Sequence, residues 1–516
     1  MKLTQAVHRA VQINGGGTAT LCGNREHSWQ VFADRIGRFA SALSALGVVP
    51  GDRVAMLALN SDRYAEFYYA SLWIGAVAVP VNTRWSDAEI RFSLQDSEPS
   101  VLLFDAHFRD RIETMRSEGL PIGQYIFSDD GEPPLWAKAH DELIALNAPA
   151  EDRGIGGNAL AAIMYTGGTT GFPKGVMLSH AGLASNAFAT MPEFGMNDRS
   201  VYLHAAPMFH LADAMMLFST TLAAGTHVMQ PAFAPAATID LLASAGVTHC
   251  LLVPTMIRML LDEIENRPAD LSLWERLIYG ASPMPEATLL RALKLLPSTG
   301  LVQAFGQTEL SPVATLLGVE QHRTDGRRLL SAGRAVPGVD LKIADETGRE
   351  LPRGDVGEVW VRGPNTMLGY WRRPDTTAET LIDGWVRMGD AARMDDDGFI
   401  YVVERIKDMI ISGGENVYSA EVENAILRHD AIAECAVIGV PDEQWGERVH
   451  AVVVPKPGID VTGEAVIEHC RSLIAPYKCP RTVELRDTPL PLSGAGKILK
   501  IELRKPYWTE GARGVG

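Results

Sequence analysis

Residues 165–175 read Tyr-Thr-Gly-Gly-Thr-Thr-Gly-Phe-Pro-Lys-Gly, with apolar runs before them at residues 160–164 and after them at residues 176–178. This pattern predicts two strands joined by a flexible polar loop. Glycines let backbone N–H groups turn toward an anion, threonines add hydroxyl donors, and Lys174 adds a full positive charge. The stretch therefore predicts a polyphosphate cradle, with a polar surface hairpin as the alternative. It departs from the Walker pattern because Gly175, rather than Ser or Thr, follows Lys174.

The composition indicates a protein of two or more domains. A chain of 516 residues, 46% hydrophobic and 21% charged, is too long for one core and too apolar for disorder. The formal net charge of −16 argues against nucleic acid or an anionic membrane as the main partner. The 5 cysteines form no Cys-x-x-Cys pair, which fits a reducing compartment and supplies no metal framework. With no signal peptide and no membrane-length apolar run, we predict a cytoplasmic protein without an integral membrane segment.

The order of the predicted elements indicates an α/β fold. Up to about residue 330, predicted strands alternate with predicted helices, which favours parallel sheets in layers. The stretch 121–157, rich in proline, glycine and acidic residues, predicts a surface connection. Short alternating strands after residue 331 predict a β-rich subdomain, and residues from 409 onward predict a small α+β domain. We therefore expect a large N-terminal domain, residues 1–403, and a small mobile C-terminal domain, residues 404–516.

Three consecutive predicted strand ends carry small or polar loops, at His210, Gly280 and Gly306. Parallel sheets bind ligands at the carboxyl ends of their strands. Thr308 and Glu309, just after the third end, suit a phosphate and a magnesium ion, because magnesium takes hard oxygen ligands. A plain helix start is the alternative for this pair. His210 lies among apolar neighbours, where a core histidine is an equally good interpretation.

Two later residues could also serve a nucleotide. Asp390 follows a glycine and could accept both hydroxyls of a ribose, or it could be a turn aspartate. Lys497 stands in the glycine- and serine-containing loop 493–497, from which a lysine could reach a developing negative charge. A solvated surface lysine is the alternative. The sequence shows no zinc-ligand spacing and no Gly-x-Ser-x-Gly elbow, so nothing in it supports a zinc site or a hydrolase triad.

Taken together and in this order, these motifs resemble the acyl-adenylate-forming superfamily of acyl-CoA synthetases, luciferases and nonribosomal adenylation domains. The resemblance runs over about residues 10 to 505, and its most specific parts are residues 165–175, 305–309, 384–390, 405–423 and 493–497. It implies that a carboxylate attacks the α-phosphate of ATP to give acyl-AMP and pyrophosphate. The thiol of CoA then takes the acyl group and releases AMP, after the C-terminal domain has rotated.

The resemblance also assigns roles to individual residues. The phosphate loop, residues 166–174, would hold the β- and γ-phosphates through Thr166, Gly167, Gly168, Thr169, Thr170, Gly171 and Lys174. The α-phosphate would be bound by Thr308, and Mg²⁺ by Glu309. The adenine would be bound by Gly280, Ala281, Ser282, Phe305 and Gly306. The ribose would be bound by Asp390 and Arg405. Catalysis would also use Lys497, at the junction of carboxylate and α-phosphate, and His210, as a gate between the nucleotide and acyl sites. The hinge would be Lys407.

Four residues depart from what is common in the family. Gly168 is often serine, Phe305 is commonly tyrosine, Met388 is commonly threonine, and Ser419 is usually proline. The first two changes each lose a hydroxyl, while Phe305 keeps a ring that could stack on adenine. None of the four removes a charge that the chemistry needs, so we expect activity to survive them.

The implied acyl pocket is apolar and has no basic partner, which predicts a hydrophobic acid. Its lining would be Ala212, Met215, Met216, Pro312 and Val313. A medium- or long-chain fatty acid is favoured, and an aryl or phenylpropenoic acid is the alternative. The run that contains Gly413 and Gly414 resembles CoA ligases rather than carrier-protein adenylation domains, so ATP, Mg²⁺ and CoA are expected. A homodimer is left open.

A different class of function is a nucleotide-binding scaffold that has lost catalysis. Such a protein would bind ATP but would release no pyrophosphate with any acid. The charged residues that the chemistry needs are all present, which argues against this alternative. They are Lys174, Glu309, Asp390 and Lys497.

Overall fold

A computed structural model describes residues 1–168, 171–324, 326, 328–405, 408–412, 415–442, 444–493 and 497–508. Within these ranges the protein is a mixed α/β structure, as the sequence predicts. Its strands form two large sheets with parallel centres, a third antiparallel sheet and a fourth, mainly antiparallel sheet near the C-terminus. No helix of the described residues is long and apolar enough to cross a membrane.

The first part of the chain contributes strands to both large sheets. Its elements are α1 (Gln5–Asn14), β1 (Thr18–Cys22), β2 (Arg25–Ser28), α2 (Trp29–Ala45), β3 (Arg53–Leu57), α3 (Asp62–Trp73), β4 (Val77–Pro80), α4 (Asp87–Ser97), β5 (Val101–Phe104), α5 (Arg109–Ser117), β6 (Gln124–Phe127), β7 (Lys138–Ala139) and α6 (His140–Leu146). Ser28 caps α2 by accepting the N–H of Val31, which is why the helix begins at Trp29.

The middle of the chain builds the rest of the two large sheets. Its elements are β8 (Leu160–Gly168), β9 (Gly171–Ser179), α7 (His180–Phe194), β10 (Val201–His204), α8 (Leu211–Ala223), β11 (Thr226–Met229), α9 (Pro235–Ser244), β12 (His249–Leu252), α10 (Pro254–Asn266), β13 (Arg276–Gly280), α11 (Glu286–Leu295), β14 (Gly300–Gly306), β15 (Val313–Leu317), α12 (Val319–Thr324) and β16 (Arg334–Ala335). One sheet runs β16-β15-β14-β13-β12-β10-β11-β1-β2, parallel from β14 to β1.

The last part of the chain forms the two smaller sheets. Its elements are β17 (Asp340–Ala344), β18 (Gly357–Arg362), β19 (Gly369–Tyr370), α13 (Pro374–Thr380), β20 (Leu381–Ile382), β21 (Trp385–Met394), β22 (Ile400–Arg405), β23 (Ile410–Ser412), β24 (Glu415–Val417), α14 (Ser419–Leu427), β25 (Ile432–Asp442), β26 (Gly446–Pro455), α15 (Gly463–Arg471), β27 (Thr482–Leu485) and α16 (Lys500–Arg504). Strand β19 leaves its neighbours and joins the second large sheet, which runs β19-β9-β8-β4-β3-β5-β6-β7.

Helix α3 lies between the two large sheets, where it contacts β1 of one and β3 and β4 of the other. All of its residues are buried, so its charged side chains need partners. Glu66 is bonded by Arg35 and by His140 Nε2, the latter at 2.8 Å, and Asp62 accepts from Arg25 at 2.8 Å. This packing joins the two sheets along the side that carries the strand ends β3 and β10.

Some element predictions are wrong. The stretch 121–157, predicted as a surface connection, contains β6, β7 and α6. Strand β6 pairs in parallel with β5, and its Ile126 and Phe127 are buried, so this stretch extends the sheet instead of leaving it. The sequence prediction also lacks the N-terminal helix α1 and the long strand β21. The β-rich character after residue 331 and the mixed helices and strands after residue 409 are confirmed.

Candidate active site

The predicted flexible phosphate loop is mostly strand, because β8 continues to Gly168 and β9 begins at Gly171. Strands β8 and β9 are antiparallel, with Thr166 opposite Lys174, and the Thr166 hydroxyl donates to the Lys174 carbonyl at 3.5 Å. Gly168 pairs with Gly171 at the end of the hairpin, while Thr169 and Thr170 lie outside the described residues. The hairpin therefore carries Lys174 on a strand of the second large sheet.

A tyrosine that the sequence analysis did not select connects this lysine to Glu309. The Tyr370 hydroxyl donates to Glu309 Oε1 at 2.7 Å, and Lys174 Nζ lies 5.4 Å from the centre of the Tyr370 ring. Burial and the Glu309 carboxylate raise the pKa of Tyr370, so its phenol keeps the proton that it donates. The structure thus places Lys174 over the ring of Tyr370 and Glu309 at its hydroxyl.

The predicted adenine-binding residues lie at the adjacent ends of β13 and β14. Gly280 lies opposite Ala304, and a Cβ at Gly280 would come within 2.1 Å of the Ala304 carbonyl oxygen. A Cβ at Gly306 would come within 2.1 Å of the Pro312 carbonyl oxygen. Both positions therefore need glycine, because any side chain would press on backbone. Ala281 and Ser282 continue from β13 and are half-buried, as is Phe305 on β14.

Thr308 and Glu309 begin a single 3₁₀ turn, Thr308–Leu310, directly after β14. Met367 N–H donates to the Glu309 carbonyl at 2.8 Å, and the Asn365 side chain donates to the Leu310 carbonyl at 2.8 Å. The turn is therefore fixed by a segment that lies more than fifty residues further along the chain. Both Thr308 and Glu309 are half-buried, at the edge where ligand could reach them.

Asp390 is buried on β21, with Arg405 as its register partner on β22. The part of β21 before Asp390 is held by Glu358, which accepts from Gly389 N–H at 3.2 Å and from Arg387 Nε at 3.0 Å. Met388 packs in one cluster with Leu310, so the Asp390 strand lies against the turn that carries Thr308. The backbone thus places Asp390 and Arg405, the predicted ribose-binding pair, opposite each other on neighbouring strands.

Lys497 lies near enough to His210 for its charge to act on the ring, although the two residues are far apart in sequence. Burial, together with the charges of Lys497 and Arg84, lowers the pKa of His210 to about 4. His210 Nδ1 accepts the N–H of Ala212 at 3.2 Å, so the neutral ring carries its proton on Nε2. The backbone of Lys497 is held by a hydrogen bond, in which its N–H donates to Ser493 Oγ at 3.1 Å. The proximity of Arg84 was not predicted from the sequence.

Asn60, just after β3, holds the loop that leads to His210. Its Nδ2 donates to the carbonyls of His204 at 3.0 Å and Ala206 at 2.8 Å, and its Oδ1 accepts from Met208 N–H at 2.8 Å. Tyr68 of α3 donates to the Met208 carbonyl at 2.9 Å. The role of this buried asparagine is not predicted from the sequence, because no neighbouring residue indicates that it contacts a remote loop.

The predicted acyl residues are close together beyond His210. Met215 and Met216 are 1% and 0% exposed and pack with Val313 in one apolar cluster, and Ala212 packs against the cluster from outside. Pro312 is half-buried beside Val313. The hydroxyl of Thr190 contacts the Met215 sulfur at 3.8 Å. Four of the five predicted acyl residues thus belong to, or pack against, one apolar cluster.

Several predicted residues stay untested. Lys407, Gly413 and Gly414 lie outside the described residues, and of Arg405 only the backbone is described. Among the residues that the structure describes, no group of three or more histidine, cysteine, aspartate or glutamate side chains could hold a metal ion. A metal at Glu309 would thus take most of its ligands from a bound phosphate and water, which suits Mg²⁺.

Comparisons with known proteins show similarity over most of the chain. The family model of the AMP-binding enzymes matches residues 7–371, and that of their C-terminal domain matches residues 421–497. A feruloyl-CoA synthase of an Amycolatopsis species is 38% identical over 97% of this chain and 98% of its own length. The long-chain-fatty-acid–CoA ligase FadD13 of Mycobacterium tuberculosis is 35% identical over 91% of both chains.

A solved structure is similar over almost the whole length. ATP-bound MatB from Rhodopseudomonas palustris is 31% identical, covers 98% of this chain and 99% of its own, and superposes with a TM-score of 0.87. The chain therefore belongs to the AMP-binding enzymes, the acyl-adenylate-forming superfamily. Within that superfamily it is an AMP-forming, ATP-dependent acid–CoA ligase.

Proposed function

We propose that this ligase activates a compact hydrophobic acid, with a phenylpropenoic acid as the first candidate. The observation that carries the proposal is that Met215 and Met216 are buried in an apolar cluster against which Ala212 packs. We infer that these two side chains form the floor of the acyl pocket. A flat aryl acid fits in front of such a floor more easily than an extended chain does. The 38% identity to a feruloyl-CoA synthase supports the same choice. The order of the two candidates is thereby reversed from the one that sequence alone favoured.

A medium- or long-chain fatty acid is the second candidate. Methionine is unbranched and adapts its shape, so Met215 and Met216 could repack around an inserted chain. The 35% identity to a long-chain-fatty-acid–CoA ligase supports this alternative. The two candidates differ in how far the ligand must displace the methionines.

We propose the same division of labour for either acid. Lys174 would hold the leaving β- and γ-phosphates, and Lys497 would neutralise the charge that builds where the carboxylate meets the α-phosphate. His210, neutral at physiological pH, would present its Nε2 proton at the boundary of the acyl pocket. Asp390 and Arg405 would hold the ribose, and Gly280 with Phe305 would enclose the adenine. Glu309 would bind Mg²⁺, which supplies further neutralisation of phosphate charge when bound.

Other expectations from the sequence remain proposals. They are the division into residues 1–403 and 404–516, a hinge at Lys407, CoA contacts at Gly413 and Gly414, a cytoplasmic location and a homodimer. Limited proteolysis would test the boundary, and sedimentation would test the dimer.

The acid is identified by pyrophosphate release with a panel of acids. The panel contains ferulate, cinnamate, benzoate, octanoate and palmitate, each with and without CoA. We expect the highest kcat/KM with an arylpropenoate, and a preference for palmitate would reject that choice. If none of the acids on a wider panel causes pyrophosphate release, the result would support the non-catalytic scaffold.

Two matched variants locate the acid in the pocket. Ala212→Phe places a ring at its half-buried mouth, and Ala237→Phe places one on an exposed face of α9. We expect the first variant alone to raise KM for the acid about tenfold or more, with KM for ATP unchanged. Equal effects on both substrates would show that Ala212 does not line the acyl pocket.

A further inference from the structure

The segment 365–371, here called the bracing segment, spans two parts of the proposed ATP site. At one end Asn365 Nδ2 donates to the Leu310 carbonyl at 2.8 Å, and Met367 N–H donates to the Glu309 carbonyl at 2.8 Å. At the other end Trp371 N–H donates to the Gly175 carbonyl at 2.7 Å. The segment therefore binds both the turn that carries Glu309 and the strand that carries Lys174.

Tyr370 is the side chain that completes this connection. It is 7% exposed, so its hydroxyl needs a partner, and Glu309 Oε1 at 2.7 Å is that partner. Among the described residues, Tyr370 is the only side chain that hydrogen-bonds the Glu309 carboxylate. The face of its ring lies 5.4 Å from Lys174 Nζ, a cation–π distance.

The backbone around Tyr370 allows little movement. Tyr370 N–H donates to Thr377 Oγ1 at 2.9 Å, and Gly369 has φ +133°, a conformation that an L side chain rarely adopts. A Cβ at Gly369 would also lie 2.8 Å from Thr377 Cγ2. The phenol is thus delivered to Glu309 from a fixed position and does not follow the carboxylate as a flexible side chain would.

We propose that Tyr370 is a positioning residue that holds the Glu309 carboxylate and the Lys174 ammonium at a set separation, so that both meet one metal-bound triphosphate. The proposal rests on the proposed ATP site. Its physical basis is that the hydroxyl fixes one carboxylate oxygen, while the ring face keeps the ammonium near Glu309 without a direct ion pair between them. An ion pair between Lys174 and Glu309 would neutralise both groups before ATP arrives.

The test compares Tyr370→Phe with Tyr507→Phe. Tyr507 also donates to a carboxylate, Glu484 Oε2 at 2.8 Å, and neither residue of that pair has a role in the proposed ATP site. Each variant therefore loses one tyrosine–carboxylate hydrogen bond of nearly equal length. The readouts are the dissociation constant of ATP with and without Mg²⁺, measured by calorimetry, and the thermal midpoint of unfolding.

We expect Tyr370→Phe to weaken ATP binding about tenfold in the presence of Mg²⁺ and less than twofold in its absence. Tyr507→Phe is expected to change neither constant, although we expect both variants to lose similar thermal stability. Tyr370→Ala, which also removes the ring beneath Lys174, is expected to weaken binding in both conditions. This pattern separates positioning from a general loss of structure.

Equal weakening with and without Mg²⁺ in Tyr370→Phe would overturn the proposal, as would identical behaviour of the two phenylalanine variants. The wild-type protein provides the separate check on the ATP site. If it binds no ATP with Mg²⁺, the proposed function fails. If it binds ATP and Tyr370→Phe binds equally well, only the inference about Tyr370 fails.

Discussion

Arg258 of α10 and Glu434 of β25 form an ion pair, with 2.8 Å between Nη2 and Oε1. Arg428 and Glu286 form a second pair at 2.6 Å. Both pairs connect the first large sheet's helices to the C-terminal sheet. They occur in the same arrangement that brings Lys497 close to His210, so we infer that they help to hold the adenylating state.

Replacing Arg258 by glutamine tests this inference. Surface ion pairs contribute about 0.2–1 kcal/mol, so we expect pyrophosphate release to fall no more than about fivefold. Transfer from supplied acyl-AMP to CoA should be unchanged or faster, because that step needs another domain arrangement. Arg291→Gln is the control, since Arg291 pairs with Asp262 and Glu265 inside the N-terminal part. An equal loss in both half-reactions would contradict the inference.

Lys497→Ala is expected to reduce acyl-AMP formation about 100- to 1,000-fold, because a charge that stabilises the transition state is lost. CoA attack on supplied acyl-AMP should continue. The two half-reactions are measured separately, by pyrophosphate release and by thioester formation. Lys505→Ala, at an exposed lysine that pairs with Glu502, is the control. Equal loss of both half-reactions would show that the lysine does not act in adenylation alone.

Asn60→Ala should misplace the His210 loop, because three hydrogen bonds to that loop disappear. We expect KM for the acid to rise about tenfold with KM for ATP changed less than twofold. Asn60→Asp keeps the acceptor for Met208 N–H but loses both donors, so we expect its KM for the acid to stay close to that of Asn60→Ala. Asn147→Ala, which removes a half-buried asparagine that follows α6 and donates to the Leu143 carbonyl at 2.8 Å, controls for stability. If the acid KM follows thermal stability in all three variants, Asn60 has no positioning role.

Acid should destabilise the protein through His180. Burial lowers the pKa of this histidine to about 4, against about 6.5 for an exposed one. A lowered pKa means that the unfolded chain takes up the proton first, so stability is intact above pH 6.5 and is lost as pH falls toward 4. The loss by pH 5 should be on the order of 2 kcal/mol.

The variant His180→Leu removes this proton uptake. We expect the decrease in its thermal midpoint between pH 8 and pH 5 to be smaller than that of the wild type. Exposed His107→Gln should behave like the wild type. Parallel decreases in wild type and His180→Leu would show that other groups account for the acid sensitivity.

Local patterns were sufficient to predict much of the fold. Short strands such as β18 form where the sequence after residue 331 alternates, and Ser28, a serine directly before an apolar helical repeat, caps α2. Strands β6 and β7 were missed because they are short and are stabilised by pairing with β5 and with each other rather than by their own sequence. Strand β21 was not predicted because Gly389 and Asp390 interrupt its apolar pattern. In the fold it pairs with β18 on one side and with β22 on the other.

The residues of the candidate site also divide into those that a local motif marks and those that only the fold reveals. Lys174, Glu309 and Asp390 stand in short motifs whose residue types suggest phosphate, metal and ribose. Tyr370 and Asn60 stand in no such motif, because each acts on partners that only the folded chain brings near. Tyr370 contacts Glu309 across a separation of 61 residues, and Asn60 contacts Met208 across 148. No periodicity or spacing in one sequence can indicate contacts of that kind.

The bare backbone at Gly280 and Gly306 has an evolutionary consequence. A single methyl group at either position would meet a carbonyl oxygen within 2.1 Å, so neither position can drift to alanine without parting neighbouring strands. In the proposed acyl site along α8, side chains rather than main chain form the wall. We therefore expect new acids to be acquired in this scaffold by point mutation, while the proposed adenine edge stays closed to such change.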